Sequence, residues 1–149
     1  AAYTAQRQTL CFARDYLYAF VSGLDRATIG YGVMHADLHP ANIMVEDRQL
    51  TVFDFDDAAY GWFPYDIATA LFDAWFEDAE FRGVQGALSA GYTETRPLSD
   101  PFLATLPKFL LISGLAFVGW LDARPEKDNR KVLPELIEFT CEQTALICR

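Results

Sequence analysis

His35-Ala36-Asp37-Leu38-His39-Pro40-Ala41-Asn42, followed after a short gap by Phe53-Asp54-Phe55-Asp56-Asp57, contains both histidines of the chain and five of its carboxylates or amides in close order. Residues 42–45 and 50–54 are short and β-prone, with the polar piece Glu46-Asp47-Arg48-Gln49 between them, which predicts a hairpin. Residues 35–41 show neither a helical nor a strand period and include Pro40, so they read as a loop. Pairing the two strands brings the open ends of the hairpin together and makes Asn42 and Asp54 neighbours. An amide oxygen beside a carboxylate offers hard oxygen ligands to Mg²⁺, which keeps the rest of its octahedron for water and phosphate oxygens. Asp37, one loop away, is placed to accept a proton from an incoming hydroxyl.

Outward from this stretch the pattern is helical. Leu10, Ala13, Leu17, Phe20 and Leu24 recur at steps of three and four, predicting a helix over 5–24. Residues 28–32 break that pattern, and 58–64 read as a loop. Pro64 suits the first turn of a helix whose apolar face is Ile67, Leu71 and Ala74 or Trp75. A helix over 80–90 presents Phe81, Val84 and Leu88 and stops at Gly91. Ser99 or Asp100 caps a long apolar helix to about 122, with Pro107 as a kink. Residues 124–129 read as a turn. A last helix over 132–147 carries Leu133, Ile137, Cys141 and Ala145 four apart. The expected fold is mainly α with a small β-hairpin, as a single domain over 1–149.

With 52% apolar and 15% aromatic residues, the chain has ample material for a packed core. A net charge of −9 with no run of Lys or Arg speaks against nucleic acid and anionic membranes as partners. Three cysteines, Cys11, Cys141 and Cys148, match no metal-ligand spacing; reduced thiols and a cytoplasmic setting are expected. The apolar run 109–121, flanked by Lys108 and Asp122, is too short to span a bilayer and reads as a core helix.

HADLHPAN, FDFDDA, YGW and YDIA, in that order over residues 31–72, resemble the catalytic and metal loops of kinase-fold enzymes, whose protein-kinase form is H-R-D-L-x-x-x-N followed by D-F-G. The form here is similar to the aminoglycoside phosphotransferase and choline kinase branch. The resemblance implies the helical C-terminal lobe of the protein-kinase-like α+β fold. It also implies an ATP-dependent phosphotransferase using Mg²⁺ with ATP or another nucleoside triphosphate. The γ-phosphoryl would pass to a hydroxyl of a small molecule of aminoglycoside, amino alcohol, homoserine or sugar type. By the same resemblance Asp37 matches the catalytic Asp, and Asn42 and Asp54 match the metal-binding Asn and Asp. His35 and Asp66 match residues that brace the catalytic loop. Asp56 and Asp57 have no firm counterpart in the general kinase pattern, and Asp56 is a candidate additional ligand or substrate contact; His39 is a candidate additional site residue that reads either as lining the site or as making a local loop hydrogen bond.

The kinase fold also needs a phosphate-covering glycine-rich loop and a strand lysine. No lysine occurs before Lys108 and no glycine-rich loop is present. The N-terminal nucleotide-binding lobe is therefore expected to lie outside this chain, which alone should turn over little or nothing. Two other readings compete. His35-Ala36-Asp37-Leu38-His39 is an H-x-D-x-H string that could hold a transition metal for hydrolysis, with carboxylates completing the set; it leaves Asn42 and YDIA unexplained. A non-catalytic kinase-like binding module is the third, and the intact Asp37, Asn42 and Asp54 speak against it. The acidic residues Asp73, Glu77, Asp78 and Glu80 read as a solvated face, or as a wall attracting a cationic acceptor. Trp62, Trp75 and Trp120 read as core, Trp62 being the best placed of them to meet substrate.

Overall fold

The computed structural model describes residues 4–77, 80–124 and 132–149, so Asp78 and most of the turn expected over 124–129 lie outside the described residues. These residues fall into two compact units, Asp25–Leu110 and Ala1–Leu24 with Leu111–Arg149.

In the second of these, α1 (Thr4–Ser22) packs on α6 (Val132–Ile147). The α1 stripe is as the spacing predicts, with Ala13 and Leu17 buried. The bounds of α6 also agree, but its face is turned. Leu136, Thr140 and Thr144 are buried, while Leu133, Ile137 and Cys141 are half-buried and Ala145 is exposed. Two threonines can line a core because each hydroxyl donates to a carbonyl one turn back, Thr140 to Leu136 and Thr144 to Thr140. Polar residue type thus concealed the buried stripe.

Helix α5 (Asp100–Asp122) runs through the division between the units. Ser99 Oγ accepts from Phe102 N at 3.3 Å, so the serine acts at the start of the helix, and Pro107 lies inside it. At 23 residues α5 is long and apolar enough to cross a membrane by length and composition, which a core helix also satisfies. Phe102, Leu106, Phe109, Leu110, Leu111 and Leu121 along it are buried against the protein. Trp120, expected in the core, is 39% exposed and carries the Arg124 guanidinium 4.2 Å above its ring.

The unit Asp25–Leu110 holds a short helix α2 (Arg26–Ile29), strands β1 (Tyr31–Met34), β2 (Ile43–Glu46), β3 (Gln49–Val52) and β4 (Ala59–Trp62), and helices α3 (Phe63–Phe76) and α4 (Phe81–Thr93). Asp25 caps α2, its carboxylate accepting from the Thr28 hydroxyl and amide, which hold it below the usual carboxylate range. The predicted hairpin is present as β2–β3, closed by Asp47 and Arg48, both at positive φ. Positive φ at both loop positions is the geometry that matches strand twist in a two-residue turn. Helix α4 passes through Gly91, the expected stop, to Thr93, and buries none of its residues.

One pairing was not expected. Residues read as a break and a loop form β1 and β4, antiparallel, with Gly32 opposite Gly61 and Tyr31 opposite Trp62. Both strands are short and glycine-containing, so no local period marks them. Their pairing is supported from α3. Phe63, the first residue of that helix, donates its N–H to Gly30 O at 3.2 Å. Its ring lies where a Cβ on Gly32 would be, 2.7 Å from the nearest ring carbon, and equally close to Gly30, whose φ of +89° also requires glycine. Arg96 covers the same ring at 4.0 Å. Beneath the ribbon, α3 buries Pro64, Ile67, Ala68, Leu71 and Phe72; Ile67 and Leu71 are as expected, while Ala74 and Trp75 are half-buried and Phe72 takes their place.

Gly32→Ala should therefore force the Phe63 ring away from β1. We expect a loss of about 1–3 kcal/mol, read as a lower urea midpoint at unchanged slope, with Phe63→Leu in the same background recovering part of it.

Candidate active site

Met34 ends β1, and the next residues turn sharply. Ala36 has φ +69°, a left-handed conformation that costs a non-glycine residue on the order of 1–2 kcal/mol. It is held there from α3. The Asp66 carboxylate, in the first turn of that helix, accepts from His35 N and Ala36 N, each at 2.8 Å and each through a different oxygen. A carboxylate is favoured at this end of a helix, where the backbone dipole is positive. Asp66 thus braces the loop.

His35 is buried at 6% exposure. Its Nε2 donates to Phe53 O at 2.9 Å, its Nδ1 accepts from Asp37 N at 3.3 Å, and the Phe55 ring lies 4.6 Å from its own. One histidine thereby ties the loop to the segment after β3. With both ring nitrogens committed within the protein, His35 is not free to ligate a metal, which removes the first ligand of the H-x-D-x-H alternative. Among the described residues no group of three or more His, Cys, Asp or Glu is placed to hold a metal ion.

Asn42, at the far end of the same loop, is also buried, at 6% exposure, and ends a 3₁₀ turn, Pro40–Asn42. Its Nδ2 donates to Asp37 O at 2.9 Å and Asp37 Oδ2 at 3.1 Å. Two oxygen acceptors on one side of the amide fix which end is nitrogen. The Asn42 side-chain oxygen points away from both and makes no hydrogen bond among the described residues. Phe53 N donates to Asn42 O at 3.1 Å, so Asp54 follows directly on a residue bonded to Asn42. Asp54 does not end β3 as expected. It lies beyond Val52, exposed, at φ +64°, with its carboxylate in no hydrogen bond or ion pair among the described residues. An amide oxygen and a carboxylate, neither used in a hydrogen bond among the described residues, are the ligand types a hard divalent cation takes. Asp56 and Asp57 are exposed in a turn closed by Ala58 N donating to Phe55 O.

Asp37 itself is half-exposed, 41% by side chain, with its backbone and one carboxylate oxygen held by Asn42. His39 lies 3.5 Å from the same oxygen. Tyr65 was overlooked by the sequence reading although it adjoins Asp66. Burial pushes its phenol above the usual range, and the carboxylates of Asp37, Asp66 and Asp57 add to the shift. Phe55 was also missed; its place between two aspartates is the only local signal for it.

Removing the Asp66 carboxylate leaves two amides and a left-handed alanine without their partner. Asp66→Ala is expected to cost about 2–4 kcal/mol, with faster hydrogen exchange at the His35 and Ala36 amides. Unchanged exchange at those amides would contradict the brace.

The profile of the phosphotransferase enzyme family (APH) matches residues 2–98. Amicoumacin kinase of Bacillus subtilis (strain 168) is 31% identical over 115 residues, 72% of this chain and 34% of that protein. A homoserine kinase of Xanthobacter autotrophicus is 39% identical over 100 residues, 61% of this chain and 31% of that protein. Among solved structures, a microcompartment-associated aminopropanol kinase superposes with a TM-score of 0.78 at 29% identity, covering 98% of this chain and 45% of that one. Amicoumacin kinase hAmiN in complex with AMP-PNP, Ca²⁺ and Ami gives a TM-score of 0.77 at 28% identity, covering 95% and 46%. The chain spans about a third of the length of the curated relatives it matches and under half of each solved one. Its small antiparallel ribbons among helices are those of the helical lobe of kinase-like enzymes, and the chain belongs to the phosphotransferase enzyme family.

Proposed function

We propose that this chain carries the base and metal ligands of an ATP-dependent phosphotransferase that moves the γ-phosphoryl group to a hydroxyl of a small molecule. The observation that carries this reading is the arrangement around Asn42. Its nitrogen fixes the half-exposed Asp37 carboxylate, and its backbone carbonyl accepts from Phe53 N, the residue directly before the exposed Asp54.

In this reading Asp37 accepts the acceptor's hydroxyl proton as the new oxygen–phosphorus bond forms and the bond to the β-phosphate oxygen breaks. Asn42 and Asp54 would hold Mg²⁺, which neutralises charge on the nucleotide phosphates when bound. The bidentate Asp66 brace and the two His35 bonds keep Asp37 in register with those ligands, which is the positioning that phosphoryl transfer chiefly requires. The grip on ATP is assigned to sequence outside this chain, since no glycine-rich loop and no lysine precede Asp37.

Relatives named for homoserine and aminopropanol support an acceptor that bears an amine as well as a hydroxyl. The exposed Asp73, Glu77 and Glu80 are consistent with a cationic acceptor but serve equally as a solvated face. A cytoplasmic setting fits Cys11, Cys141 and Cys148, which form no disulfide among the described residues.

The test is Asp37→Ala in the intact gene product, assayed for nucleotide-dependent phosphorylation of a panel of amino alcohols, homoserine, sugars and aminoglycosides. Loss of general-base assistance predicts a fall in kcat of at least about 10²-fold with an unchanged circular dichroism spectrum. A near-normal kcat would defeat the assignment, and a wild-type protein that binds nucleotide without transfer would favour a binding module.

A further inference from the structure

His39 was left undecided by its sequence position, and its two ring nitrogens have different surroundings. Nδ1 accepts from Ala41 N at 3.3 Å, capping the short turn that ends in Asn42. An imidazole that accepts at Nδ1 carries its hydrogen on Nε2. That Nε2 faces Asp37 Oδ2 at 3.5 Å, in a residue whose side chain is 38% exposed. The same Oδ2 accepts from Asn42 Nδ2 at 3.1 Å. Among the described residues Asp37 Oδ1 has no partner. The two oxygens of one carboxylate are thus unequal: one faces two donors, the other faces none.

We propose that His39 is a positioning residue for Asp37, its Nε2–H acting with Asn42 Nδ2 to commit Oδ2 and so present Oδ1 as the oxygen that takes the hydroxyl proton. The inference rests on the reading of Asp37 as the base. The physical need is plain. A carboxylate on a half-exposed loop rotates about its last bond unless something distinguishes its ends. One donor at 3.1 Å does so partly, and a second facing the same oxygen closes the alternative. The more basic lone pairs are then those of the oxygen without donors. At 3.5 Å the His39 contact is longer than a full hydrogen bond, and such contacts shorten when an active site closes on its substrates.

The imidazole's separate tasks allow them to be separated experimentally. Asparagine at 39 keeps an acceptor where Nδ1 caps Ala41 but has nothing that reaches Asp37. Glutamine places an amide nitrogen where Nε2 stands and gives up the cap. In the intact gene product, His39→Asn is expected to lower kcat about tenfold at unchanged KM for the acceptor, while His39→Gln stays within about threefold of wild type. The reverse order, with asparagine active and glutamine impaired, would show that His39 serves only as a turn cap and would overturn the proposal. Equal kcat in all three proteins would do the same.

A second measurement needs no turnover. Long-range ¹H–¹⁵N spectra should show the His39 ring, identified by its loss in His39→Asn, protonated at Nε2 and shifted by Asp37→Ala. A ring protonated at Nδ1, or one that ignores Asp37→Ala, overturns the contact whatever the activity. Absence of phosphoryl transfer in the wild-type protein would instead count against the assignment of Asp37 as base, leaving the ring spectra to judge His39.

Discussion

The Asp66 carboxylate receives two successive backbone amides, His35 N and Ala36 N, and much of the surrounding geometry follows from that grip. The two adjacent amides converge on one carboxylate, and directly after them the chain turns at Ala36, which is in a left-handed conformation. Two charge-assisted hydrogen bonds outweigh a cost of about 1–2 kcal/mol for that conformation. Once Ala36 is turned, Asp37 N points back to His35 Nδ1, and the Asp37 side chain is free to meet Asn42. The loop is thus shaped from α3, not by propensities of its own.

Polar accounting sharpens the picture. His35 and Asn42 are buried, and a buried polar atom without a partner is costly. His35 uses Nε2 on Phe53 O and Nδ1 on Asp37 N, while Asn42 uses its nitrogen twice on Asp37. Satisfying these groups stitches the residues before β2 to those after β3. Among the described residues, the side-chain oxygens around this loop left without a hydrogen bond include one of Asp37, that of Asn42 and the Asp54 carboxylate. Such a set suits a hard cation and a proton in transit, which is why the proposed chemistry follows from what the loop does not use internally.

The β1–β4 ribbon serves the same end. It carries the chain directly into His35, and its position against α3 sets how far Asp66 must reach. Gly30 and Gly32 leave room for the Phe63 ring, and the Arg96 guanidinium stacks over the same ring. Phe63 and Asp66 lie on the same first turn of α3. One helical turn therefore both seats the strand and grips the loop that follows it.

Residue type and order were enough to mark the hairpin, the helices of long apolar period, and His35, Asp37, Asn42 and Asp54 as a group, while Asp66 was marked only by the family resemblance. Those signals are local: a period over many residues, a polar turn, a motif of fixed spacing. The pairing of β1 with β4 is not local, since its strands are short, contain glycine and gain their support from Phe63. The buried face of α6 escaped for a related reason, because Thr140 and Thr144 satisfy themselves within the helix and enter a core that residue type alone would deny them. Which oxygen of Asp37 is occupied, where Asp54 leaves the strand, and which nitrogen of His39 carries hydrogen were decided by tertiary structure. Each depends on angles and distances that are set only once the loop from His35 to Asn42 is held by Asp66 of α3 and by Phe53 beyond β3.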